Sequence, residues 1–127
     1  MARELISSGS PYEPIIGCSR AVKVGNHVYV SGTAPIWPDG SCDPNPEAQG
    51  RRCLEIIFAA LKQAGAEPRH IVRTRIYLKI AADWEPVGRA HGALLGDVRP
   101  ASTMVVVQTL LDDRWHVEME AEAEITD

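Results

Sequence analysis

Long hydrophobic runs are missing from this 127-residue chain. No segment approaches the roughly 20 apolar residues of a membrane-spanning helix. The opening stretch "MARELISSGS" holds no apolar run of signal-peptide length, so a cytoplasmic location and no membrane partner are expected. Cysteine is sparse. Cys18, Cys42 and Cys53 make an odd number without CxxC spacing, which fits reduced thiols better than a disulfide framework. Positive charge is in deficit, with 13 Lys and Arg against 17 Asp and Glu and a net charge of -4. A nucleic-acid partner is therefore not expected, because it requires a concentrated positive field. His27, His70, His91 and His116 are scattered without ligand spacing, so no metal site is expected. GxxxxGK[ST], GxGxxG and GxSxG are all absent, which leaves phosphate-loop, dinucleotide and hydrolase-elbow readings unsupported and implies no cofactor.

What is present suits one domain over residues 1–127. Its 45% hydrophobic and 24% charged residues are ordinary for a globular protein of this size. Residues 1–18, rich in Gly, Ser and Pro, read as an irregular lead-in. "AVKVGNHVYVSG" reads as a hairpin around Gly25-Asn26. The proline-rich "TAPIWPDGSCDPNP" reads as a loop. From Glu47 to Ala64, Leu54, Ile57, Leu61 and Ala64 share a helical face with Cys53 and Phe58 beside it, and Gly65 ends the helix. "HIVRTRIYLKI" alternates as a strand, with Val72, Thr74, Ile76, Leu78 and Ile80 on one side and Arg73, Arg75, Tyr77 and Lys79 on the other. Asp83 is a good N-cap for a second helix whose stripe is Trp84, Val87, His91, Leu94 and Leu95, ending near Gly96. His91, on that stripe, reads as a packed core histidine. "TMVVVQTL", apolar almost throughout, reads as a central strand entered at Pro100. "HVEMEAEAEI" is the last strand, with Val117, Met119, Ala121, Ala123 and Ile125 opposite four glutamates. The order β-β-α-β-α-β-β gives an α+β layer, a mixed sheet with two helices on one face.

The other face carries Arg73, Arg75 and Lys79 on one strand and Glu118, Glu120, Glu122 and Glu124 on another. Cross-strand pairs of opposite sign would stabilise each other by a few tenths to about 1 kcal/mol apiece. Part of this face reads as an oligomer interface, because Tyr77 and the valines after Met104 would otherwise be wet.

Several stretches together resemble the Rid family, also called YjgF and often labelled endoribonuclease L-PSP. They are "GCSRAVKVGNHVYVSGTAP", "LEIIFAALKQAGAEPRHIVRTRIYLKI" with "DWEPV", "RPASTMVVVQTLL" and "VEMEAEA". The resemblance spans roughly residues 15 to 125. It implies a chorismate-mutase-like fold and a homotrimer that binds a small-molecule ligand in clefts between subunits. Well-known members hydrolyse reactive enamines and imines to a 2-oxo acid and ammonia, and some have been reported as ribonucleases or translation inhibitors. The resemblance further implies that an arginine in a "PARS"-like motif clamps the substrate carboxylate, a two-pronged task suited to guanidinium. A glutamate near the end of the last strand positions or activates water.

The chain departs from that pattern at the clamp, where Pro100-Ala101-Ser102-Thr103 puts Ser102 in the arginine's place. Cys18 stands where an aromatic residue is common, and Gly88 where an asparagine is common. Glu120 matches the family glutamate, and Ser31-Gly32-Thr33 matches an "SGQ"-like turn. The expected catalytic residues are Glu120, as general acid/base, and Cys18, lining the cleft or acting as a nucleophile. The expected substrate-binding residues are Ser102, Ser31, Gly32, Thr33, Arg20 and Gly88. Arg20, Arg89 or Arg99 is a candidate for the missing anion clamp. Arg99 lies an odd number of residues before Ser102, so an unbent strand would turn it to the opposite face. A hydrolase or deaminase is the leading expectation, a non-catalytic ligand-binding or protein-protecting module the alternative, and an endoribonuclease the weaker alternative.

Overall fold

The computed structural model describes residues 2–127. Among the described residues, six strands form one mixed sheet in the order β1-β2-β3-β6-β4-β5. These are β1 (Arg3–Ile6), β2 (Ala21–Val24), β3 (His27–Thr33), β4 (Ile71–Leu78), β5 (Ala101–Val106) and β6 (Val117–Glu124). All neighbours run antiparallel except β4 and β5. Their parallel pairing requires a crossover, and α3 (Trp84–Leu95) supplies it. With α2 (Pro46–Gln63), α3 covers one sheet face.

The reading of α2 holds. Cys53, Leu54, Ile57, Ala60 and Leu61 are buried, Asn45 caps the helix by accepting from the Ala48 N–H at 2.9 Å, and Gly65 takes φ 82° just beyond the end. Gly50 is where the two helices meet. An added Cβ there would lie 3.4 Å from side-chain carbons of Val87 and Ala90. In β6, Val117, Met119, Ala121 and Ala123 are buried as expected. The hairpin also holds, since β2 and β3 are joined by Gly25-Asn26 alone, with φ 60° at Gly25.

Five expectations are corrected. The lead-in is not irregular, because it contains β1 and a short helix α1 (Tyr12–Ile16). Only Ile6 of β1 is buried, so the strand has no alternation to read. Helix α1 is held by the buried Glu13 carboxylate, which accepts from Ser7 Oγ at 2.7 Å and from the Ser8 hydroxyl and N–H at 2.6 and 3.1 Å. In β4, Val72 is exposed because a bulge between Ile71 and Arg73 shifts the alternation, and Ile80 lies beyond the strand. Along α3 the buried stripe is Val87, Ala90 and Leu95, whereas Trp84 is 61% exposed. Asp83 makes no cap hydrogen bond, and its carboxylate instead faces His116 Nδ1 at 3.2 Å. Finally, β5 is an edge strand, with Val105 and Val106 exposed despite their apolar character.

The charged open face pairs as anticipated. Register places Arg73 opposite Glu122 and Arg75 opposite Glu120, with Arg75 3.6 Å from Glu122 and 4.0 Å from Glu120. These side chains are partly exposed, so each pair contributes tenths of a kcal/mol to about 1 kcal/mol.

Candidate functional site

The site grows from an irregularity in β3. Between Val30 and Thr33 the strand gains one residue relative to β6, so Val30 and Thr33 both face the core and Ser31-Gly32 bulge outward. Arg20 fastens the bulge. Its Nη1 donates to the Gly32 carbonyl at 2.7 Å and to Thr33 Oγ1 at 3.0 Å. Thr33 Oγ1 donates to the Ser31 carbonyl, and Ser31 Oγ donates to the Ser19 carbonyl. Ser31, Gly32, Thr33 and Arg20 therefore form one hydrogen-bonded unit beside Cys18.

Two carboxylates of β6 face this unit. Glu120 accepts the Tyr77 hydroxyl in a short hydrogen bond, which pushes the phenol's pKa up, with burial adding to the rise. Glu118, not singled out by the sequence reading, packs against Gly32. Burial pushes its carboxyl above the ordinary 4.5, Arg20 pulls it back in part, and Glu120 adds to the rise. A carboxyl raised in this way is suited to proton transfer.

Both glutamates line a pocket of about 300 Å³ with Gly32, Tyr77, Val107 and Leu110. A larger cleft of about 610 Å³ adjoins it, because Gly32 and Glu118 line both. Cys18, Arg20, Ser31 and Thr33 lie in the larger cleft, as does Arg52 of α2. Cys18 is an exposed free thiol of its wall. Glu120 and Cys18 thus sit in adjoining cavities.

Gly32 is required by closeness, since an added Cβ would collide with Glu118 Oε2. That atom is the tip of a flexible side chain, so Gly32→Ala is expected to displace the carboxyl and leave the strand in place. Thermal unfolding should move by no more than about 3 °C. Turnover of a confirmed substrate should fall about tenfold or more. A large loss of stability would mean that the bulge, not the carboxyl, yields.

The remaining predicted residues form a second cluster on the other side of the sheet. Ser102 lies opposite Thr74 in the β4–β5 register and points toward the helices. Thr74 Oγ1 donates to Ser102 Oγ at 2.8 Å and lies 2.9 Å from His91 Nε2. Burial lowers the pKa of His91, favouring neutral imidazole. His91 is thus half-buried and not a core residue as expected, and it is wired to Ser102. Gly88 lies about one turn before His91 on α3, beside Trp84. Neither Ser102 nor Gly88 lines either of the two cavities described above. Of the candidate clamp cations, Arg89 is exposed and bound to Glu85 at 2.7 Å. Arg99 takes φ 57°, a sharp bend just before Pro100, and is exposed. Arg20 alone of the three lines the cleft.

The comparisons agree with this framework. The family model described as Endoribonuclease L-PSP matches residues 10–125. An uncharacterized protein of Streptomyces coelicolor is 37% identical over 121 residues, 93% of this chain and 89% of that protein. A RutC family protein of Pyrococcus abyssi is 34% identical over 123 residues, 95% of this chain and 96% of its own. Among solved structures, a Mycobacterium tuberculosis member of the YjgF family superposes with a TM-score of 0.90 at 40% identity, covering 98% of this chain and 100% of that one. With the matched sheet, helices and nearly the whole length in common, this chain belongs to the endoribonuclease L-PSP family, the YjgF or Rid family.

Proposed function

We propose that this protein is a small-molecule hydrolase of the imine- or enamine-deaminating type, acting in clefts between the subunits of a cytoplasmic homotrimer. The observation that carries the reading is the pair Glu118 and Glu120 around one pocket at Gly32, with one carboxyl raised by burial. Water adds to the C=N carbon while Glu120, fixed by Tyr77 and Arg75, takes a proton from the water. Glu118 protonates the nitrogen. The carbinolamine so formed takes the Glu120 proton on its nitrogen and returns its hydroxyl proton to Glu118, so the C–N bond breaks, ammonia leaves and a 2-oxo acid remains with both carboxyls restored. The trimer is supported by the exposed apolar edge strand β5, which an adjoining subunit would cover. It would also bring the Ser102, His91 and Gly88 cluster of one chain toward the carboxylates of another. Release of ammonia and 2-oxo acid from a 2-aminoacrylate-type imine, beyond the uncatalysed rate, is the direct test.

Ser102 favours a second reading, a non-catalytic binding module, because a hydroxyl cannot grip a carboxylate as guanidinium does. Binding of a small carboxylate without turnover over many hours would support it. Ser102 is exposed on an edge strand, so an arginine fits there. Ser102→Arg is expected to raise the affinity for a small imino or 2-oxo acid by about tenfold or more. Arg99→Ala should change it less, and the opposite ranking in a binding titration would place the clamp at Arg99. Ribonuclease action has the weakest physical support, since the proposed pocket holds two carboxylates and the chain's net charge is -4.

A further inference from the structure

The two adjoining cavities divide the chemistry unevenly. The smaller holds both carboxylates. The larger is about twice its volume and is walled by Ile16, Ile36, Trp37, Ile56, Leu111 and Trp115. Its charged groups are Arg20, Arg52 and Glu118. Arg20 spends Nη1 on the β3 bulge, and Arg52 spends Nε on the Ile36 carbonyl at 2.8 Å and Nη1 on Glu55. The Nη2 of each arginine makes no hydrogen bond among the described residues, and neither is a buried orphan atom. Two guanidinium edges therefore remain for a ligand, against one carboxyl whose ionisation is disfavoured. A cavity of this size with mainly apolar walls and few polar groups suits an organic molecule larger than a three-carbon acid. Cys18 on its wall is a small, exposed side chain, so it leaves the cleft open at that point.

We infer that the substrate is an organic acid with a large apolar body, aromatic or branched, seated in the larger cleft. Its reacting carbon lies toward Glu118 and Glu120, and its acid group meets Arg20 and Arg52. Arg20 and Arg52 would meet any carboxylate alike, so selectivity among acids comes from apolar burial. This rests on the proposed hydrolase site, but it is tested by equilibrium binding alone.

Trp37 and Trp115 line the cleft, so their fluorescence reports occupancy. The protein is titrated with 3-phenylpropionate and with propionate, which share the carboxylate and differ in the ring. The ring should lower Kd at least about tenfold. Two variants on exposed positions should cut that advantage below about threefold, Cys18→Tyr by filling that opening and Ile16→Asp by placing a like charge on the apolar wall. Unchanged melting curves would establish that both variants fold. An advantage under tenfold, no binding of either acid, or an advantage that survives both variants overturns the inference. Tight 3-phenylpropionate binding without ammonia release from any imine would remove the hydrolase reading and leave the cleft's selectivity standing. Turnover of small imines with no preference for the ring would do the reverse.

Discussion

Glu118→Gln is expected to lose turnover and to gain stability at neutral pH. The two effects share one cause. Burial holds the Glu118 carboxyl above 4.5, so the folded protein binds this proton more tightly than the unfolded chain does. Below 4.5 both states are protonated and the group contributes its full stability. As the pH rises through 4.5 toward the raised folded value, the unfolded chain ionises first and stability is lost. Glutamine cannot ionise and escapes that loss, so the variant should melt above the wild type at pH 7 and converge with it near pH 4. Proton donation disappears with the carboxyl, which should lower kcat by about a hundredfold or more. The wild type's turnover should also fall as the pH rises through the raised Glu118 value. Glu120→Gln keeps an acceptor for the Tyr77 hydroxyl and should lose turnover without the gain in stability. If Glu118→Gln lowers the melting temperature at pH 7 and spares kcat, Glu118 is a packing residue.

The sequence made this pair only half visible. In "HVEMEAEAEI" four glutamates alternate identically, and no pattern in the strand separates Glu118 from Glu120 or Glu122. The difference comes from β3. Its bulge pushes Gly32 against Glu118 and no other glutamate, and a bulge is set by pairing between strands far apart in sequence. The family motif identified Glu120, whose partner Tyr77 lay on the predicted charged face. Helix α2 and strand β6 were legible because each buries one periodic face over many residues. Strand β1 and helix α1 were not, because their stability comes from pairing with β2 and from Glu13 gripping Ser7 and Ser8. Strand β5 misled for a different reason. An apolar run implies burial but not what provides it, and in one chain "STMVV" is an edge. Ser102 was marked as a departure from the family motif, but its link through Thr74 to His91 needs the parallel β4–β5 register, which no local signal encodes.

Gln49→Met is expected to destabilise the fold by about 3–5 kcal/mol, a large part of the 5–15 kcal/mol typical of a small domain. Gln49 looks unremarkable in "PEAQGRRC", a polar residue near a helix start, yet it is completely buried. Its Nε2 donates to the carbonyls of Asp43 at 2.8 Å and Arg114 at 2.9 Å, and its Oε1 accepts from the His116 N–H at 2.7 Å. One amide thus ties α2 to the β3–α2 loop and to the segment between β5 and β6. Methionine has nearly the same shape but leaves two carbonyls and one N–H without these partners. Urea unfolding measures the loss. Gln49→Glu separates hydrogen bonding from shape. Its carboxylate would face two carbonyls and should be destabilising at pH 7, whereas the protonated acid regains a donor, so the deficit should shrink as the pH falls. The consequence reaches the site, because Leu110, Leu111 and Trp115 stand on the segment that Gln49 holds. Even the folded fraction of Gln49→Met should therefore bind 3-phenylpropionate less tightly. A loss below about 1 kcal/mol with unchanged affinity would mean that the segment is held by the packing of Trp115 and not by this amide.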